Sequence, residues 1–214
     1  RKTSNKINIK SSLIDKTPKL YIGGKQKRPD SGYSLSIHDH KNKFICDIPY
    51  ANRKDVRDCV EIASKVKNKQ LSNFNRSQIL FYLAENLQGH ENNFIELLTS
   101  LIGLEKQEAL KEFNNSKERI FYYASMADKF EGNIHNPPIR GLTLAVKEPI
   151  GVMASILNDQ FPLLSLVTVL ASNFASGNAN IILPGEKTSL IASEMYKLLD
   201  TSDIPSGYIN FLTT

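Results

Sequence analysis

Two short loops carry the residues best placed to do chemistry, Asn158-Asp159-Gln160-Phe161 and Pro184-Gly185-Glu186-Lys187-Thr188. Each follows an apolar run and leads into a segment of helical periodicity, the position at which parallel α/β sheets bind ligands. The first opens onto a helix N-terminus, where free amides and the helix dipole favour an anion. Neither loop holds a Gly-x-Gly-x-x-Gly fingerprint, so a standard dinucleotide turn is not supported. The second imitates a phosphate-binding loop, but Glu186 stands directly before Lys187 where a glycine is required, and its carboxylate would repel phosphate.

Other constellations are weaker. His38 and His40 are spaced to share one face of a strand, with Cys46 nearby, as metal ligands are, but both histidines fall in a polar turn that solvates them. No Gly-x-Ser-x-Gly elbow is present. Cys46 and Cys59 form neither a disulfide framework nor a zinc knuckle, and neither stands at a helix N-terminus beside a base. They read as two reduced thiols of a cytoplasmic protein. Glu61, Glu85 and Glu96 fall on helix exteriors as solvated charge.

The elements that position these loops follow from periodicity. Leu20-Tyr21-Ile22 reads as a short strand turning at Gly23-Gly24, and Ser34 to Ile37 and Lys43 to Ile48 as two more. From Asn52, a helix N-cap, Val56, Cys59, Val60, Ala63 and Val66 share one face. A second helix is expected from Asn75, with Gln78 completing a capping box, and buries Ile79, Leu80, Leu83, Ala84 and Leu87. Phe94, Leu97, Leu98 and Leu101 make a third, ended by Gly103; a fourth runs from Lys106 to about Phe130, with Phe113, Ile120, Ala124 and Ala127 inward. Pro137-Pro138 marks a boundary, after which Leu142, Leu144 and Val146 alternate as on a half-exposed strand.

The last third alternates strand and helix. Ile150 to Leu157 is apolar throughout, as for a strand buried on both faces. A helix from Pro162 to Phe174, a strand from Asn180 to Leu183, a helix from Ser189 to Leu199 and a strand from Tyr208 to Leu212 complete half of a doubly wound parallel sheet. The fold class is therefore α/β: an N-terminal helical layer with short strands, then a parallel sheet that stops after three strands and leaves apolar surface to be covered from outside. The divisions expected are a flexible basic linker over 1–18, strands and helices over 19–136, an arm strand over 137–149, and the half-sheet over 150–214.

Composition sets the outer bounds. The chain has 214 residues and a net charge of +5, with 41% hydrophobic and 23% charged residues, ordinary for a globular protein. No apolar stretch is long enough to span a bilayer and no signal-peptide core opens the chain. Basic residues crowd the first thirty positions, but they are spread out and lack the aromatics that stack on bases, so neither nucleic acid nor membrane is an expected partner. The first residue is Arg1 and the last, Thr214, follows an apolar run, as if both ends were cuts in a longer chain.

At the two loops the sequence resembles the aldehyde dehydrogenase superfamily. Glu148-Pro149-Ile150-Gly151-Val152, Phe161-Pro162-Leu163-Leu164, the Gly177-Asn178 turn, Glu186-Lys187-Thr188 and Ile204-Pro205-Ser206-Gly207 carry the likeness. Upstream, Tyr21-Ile22-Gly23-Gly24 fits the same pattern, so the likeness covers about residues 18 to 214. More narrowly, Asn52-Arg53-Lys54-Asp55-Val56-Arg57, Tyr82-Leu83-Ala84-Glu85-Asn86-Leu87, Ala127-Asp128-Lys129-Phe130 and Asp200 to Pro205 resemble the second domain of aldehyde dehydrogenase family 16, proteins with two such domains in tandem.

The resemblance implies NAD(P)-dependent oxidation of aldehydes to acids, by a cysteine nucleophile and a glutamate base. It implies cofactor-binding roles for Leu157, Asn158, Leu183, Pro184 and Glu186, and it places Gln160 where the family has an oxyanion-stabilising Asn. A lost oxyanion donor typically costs about 2.7–4 kcal/mol, which a longer amide offsets only in part. Asn158-Asp159 replaces a Pro-Trp pair, putting a carboxylate near the expected pyrophosphate, and Leu183 replaces a ribose-holding Lys, a charge-assisted bond worth roughly 1.5–3 kcal/mol. Glu186 matches the ribose-contacting acid; the nucleophile and the base would lie beyond Thr214. The expectation is a non-catalytic or degenerate domain with an assembly role, not active by itself; the alternative is part of an active NAD(P)-dependent enzyme. The strand matching Leu142 to Val146 belongs, in that family, to an oligomerisation arm. The partners implied are a second copy or a preceding domain of the same chain.

Overall fold

A computed structural model describes residues 18–68, 71–138 and 140–213. The basic linker expected over 1–18 lies, Pro18 apart, outside the described residues. The chain opens with a hairpin of β1 (Leu20–Ile22) and β2 (Lys25–Lys27), followed by a second, separate hairpin of β3 (Ser34–His38) and β4 (Phe44–Pro49). Helices α1 (Arg53–Ser64), α2 (Asn73–Gly89), α3 (Glu91–Leu97) and α4 (Lys106–Ala127) form the helical layer. A two-stranded arm of β5 (Asn133–His135) and β6 (Thr143–Ala145) precedes the alternating part, β7 (Val152–Ile156), α5 (Pro162–Ala175), β8 (Ala179–Leu183), α6 (Thr188–Thr201) and β9 (Ile209–Phe211).

The main sheet has five strands in the order β2-β1-β9-β8-β7. Strands β7, β8 and β9 are parallel, in the register Ala154↔Ile181 and Ile181↔Asn210. The three parallel strands expected are present, but the sheet does not stop at them: β1 joins β9 antiparallel through Tyr21↔Phe211. The reason lies in side chains far apart in sequence. The Tyr21 ring stacks on Tyr196 at 4.9 Å and leans on Phe211, while its hydroxyl donates to Asp200 at 2.7 Å. At the turn, Gly23 N donates to the Asn210 side chain at 2.8 Å and Ser206 Oγ donates to Gly23 O at 2.7 Å. Helices α1 and α5 both pack on β8, whose residues Ala179 to Ile182 are buried, so both faces are covered there.

The other edge behaves differently. An apolar run specifies a strand but not its cover, and among the described residues β7 pairs only with β8. Far from being buried on both faces, β7 and its approach are partly exposed, with Ile150 at 82% and Ile156 at 84%. The arm is exposed likewise, at Ile134, Leu142, Leu144 and Val146.

In the helical layer the expected inner residues of α3, the turn of π-helix after it (Leu98–Ile102) and α4 are buried, and Gly103 ends the run in the left-handed region at φ 85°. One helix start and one helix face differ from expectation. Helix α2 begins at Asn73, not Asn75, because Ser72 is the N-cap and its Oγ accepts from Asn75 N at 3.1 Å. In α1 the cap is Asn52 as expected, but Val56 and Val60 are exposed. Asp55 is buried instead, its carboxylate accepting from the Asn52 and Asp30 amides.

Candidate functional site

The loop after β7 is shaped by local hydrogen bonding. Leu157 N donates to Leu183 O at 2.8 Å, extending the β7–β8 ladder by one residue. Asn158 Oδ1 then accepts from Gln160 N at 3.0 Å, a turn that Asn favours because its side chain mimics a backbone carbonyl. Phe161 follows at φ 46°, a left-handed conformation rare for a bulky residue, and Pro162 starts α5 with its pre-set φ. Gln160 is left exposed at the carboxyl edge of the sheet, as is Asn158.

The N-terminus of α5 was expected to offer free amides to an anion. Its amides are already used. Pro162 has no N–H, and Leu163 N and Leu164 N both donate to Glu112 Oε1, at 2.9 and 3.2 Å. Ser165 N closes the first helical turn on Phe161 O. Glu112 reaches in from the middle of α4 and is 5% exposed. Burial pushes its carboxyl above the usual range, and the two amides offset part of that shift. The other end of α5 is met by a buried cation: Arg76 of α2 donates from Nε to Ala175 O at 3.0 Å and from its Nη atoms to Leu71 O and Asn73 Oδ1. A carboxylate at the N-terminus and a guanidinium at the C-terminus both match the helix dipole.

The second loop is joined to the first by one carboxylate. Asp159 Oδ1 accepts from Thr188 N at 2.9 Å and from Thr188 Oγ1 at 2.7 Å, which caps α6 from outside. Lys187, the residue at the N-cap position, makes no side-chain cap. Ser189 N and Leu190 N turn back to Gly185 O and Lys187 O. Gly185 lies so close that a Cβ there would come within 2.5 Å of Asp159 Oδ1. Of the other residues singled out from sequence, Pro184 is buried, Leu183 is half-buried at the end of β8 and Glu186 is exposed. Leu157 and Leu183 are thus neighbours across the ladder, and Asp159 and Thr188 are bonded. Gln160 and Glu186 share the same edge, with no hydrogen bond or ion pair between them.

Elsewhere the candidate ligands serve packing. His40 Nδ1 lies 3.0 Å from Ser100 O, and the His38 ring meets Phe44 edge-on. Among the described residues no three His, Cys, Asp or Glu side chains gather to hold a metal. Desolvation raises the Cys46 thiol to about 11 and the Cys59 thiol to about 12, so both are poor nucleophiles at neutral pH. Among the described residues no helix is long and apolar enough to cross a membrane.

Glu112 and Arg76 were not singled out from sequence. A signal existed in each case. Glu112 sits at helical spacing among Ala109, Phe113, Ser116 and Ile120, all buried, and Arg76 precedes Leu80, Leu83 and Leu87 on one face of α2. A charge inside an apolar stripe requires a buried partner.

The family model described as "Aldehyde dehydrogenase family" matches residues 28–214. Betaine aldehyde dehydrogenase of Hordeum vulgare is 29% identical over 205 residues, covering 91% of this chain and 41% of that protein. Cytosolic 10-formyltetrahydrofolate dehydrogenase of Mus musculus is 27% identical over 214 residues, covering 95% of this chain and 24% of its own length. Among solved structures, an aldehyde dehydrogenase from Bacillus cereus superposes with a TM-score of 0.90 at 21% identity, over 94% of this chain and 42% of that one. A betaine aldehyde dehydrogenase from Staphylococcus aureus, solved with NAD+, gives 0.88 at 22% identity, over 92% and 41%. The chain therefore spans about two fifths or less of the proteins it matches. With the family model covering all but the first 27 residues, the chain belongs to the aldehyde dehydrogenase family.

Proposed function

We propose that this chain is a non-catalytic, degenerate aldehyde dehydrogenase domain whose role is assembly within a longer, two-domain cytoplasmic protein, most similar to the second domain of family 16. The observation that carries the assembly role is the arm. Ile134, Leu142, Leu144 and Val146 are 74%, 72%, 57% and 71% exposed on a two-stranded sheet that no other element covers among the described residues. Contiguous exposed apolar surface of this kind marks an interaction site. The partner is a second copy or the preceding domain of the same chain. Analytical ultracentrifugation of the full-length protein tests this: Leu144→Asp with Val146→Asp should shift it to a smaller species. An unchanged sedimentation coefficient would rule out self-association through the arm and leave only the preceding domain as its partner.

Loss of catalysis is supported by the residues at the sheet edge. NAD(P), the cofactor of the family, does not fit the donors present. Leu183 offers no charge to a ribose, Asp159 puts a carboxylate at the sheet edge, and the amide of Gln160 stands one methylene further out than an Asn. The second reading is part of an active NAD(P)-dependent aldehyde dehydrogenase. It is favoured by Glu186, which is exposed at the carboxyl edge and matches the acid that holds the ribose in active relatives. Assay of the full-length protein with NAD or NADP and a panel of aldehydes separates the two. Absence of turnover together with millimolar NAD binding fits the degenerate domain, whereas turnover or micromolar binding establishes the enzyme.

A further inference from the structure

We draw no further inference here: the strongest candidate, the groove between Ile79, Phe81 and Tyr82 on the outer face of α2 and the turn after α6 at Ser202 and Asp203, is unpartnered among the described residues, and nothing in the structure shows what covers it.

Discussion

Helices α5 and α6 begin at the same sheet edge, and each takes its N-terminal cap from a distant carboxylate. Glu112 caps α5 from the interior, joining residues 51 positions apart in sequence, and its carboxyl is held by amides with almost no solvent. Asp159 caps α6 from a half-buried loop at the mouth of the candidate site. The first cap is a packing device that fixes α4 against α5. The second lies at the carboxyl edge of the parallel strands, where such sheets take ligands. Position in the fold, and not the chemistry of the cap, separates the two.

The comparison can be broken at its stronger member first. Glu112→Ala leaves two buried amides without an acceptor and should cost about 3 kcal/mol, measured by urea unfolding. A change below about 1 kcal/mol would show that water or another group replaces the carboxylate. The pH dependence of stability sharpens the point. Since the folded carboxyl of Glu112 is raised above its ordinary value of 4.5, the folded state binds the proton more tightly, and stability falls as pH rises from there through the folded value. Glu112→Gln should flatten that fall; identical slopes in variant and parent would mean that Glu112 is not the group responsible.

Effects at the second cap should be smaller. Asp159→Ala removes a single half-buried cap and should lower stability by about 1 kcal/mol in the same unfolding assay. A loss as large as that for Glu112→Ala would erase the distinction between the two caps. Smallest is the coupling across the loops. Gly185→Ala should destabilise the protein when Asp159 is present and less when it is Ala, with a coupling of about 0.5 kcal/mol in a double-mutant cycle. Additive effects would mean that Gly185 is not held open for Asp159.

Much of the fold is legible in the sequence because its signals are local. The cap at Asn52, the apolar faces of α3 and α4, Pro162 at the first position of α5 and Gly103 at a helix end each depend on residues within a turn or two of one another. The start of α2 was not legible: the reading from Asn75 missed Ser72, whose Oγ accepts from Asn75 N and makes it the cap. The loops of the candidate site were found from their place after two strands, and the departures at Asp159, Gln160 and Leu183 could be read there.

What each of those residues does was decided only in three dimensions. The sequence by itself determined an α/β chain, the order of its elements and the two loops at the sheet edge, because periodicity and turn chemistry act over a few residues. The tertiary structure decided that β1 closes one side of the sheet while β7 stays open on the other, since Tyr21 meets Tyr196 and Phe211 only after folding. It also decided that both helix N-termini are occupied from within. A helix end requires acceptors without specifying where in the chain they come from. Here Glu112 on α4 and Asp159 across the loop supply them, and that choice rests on packing.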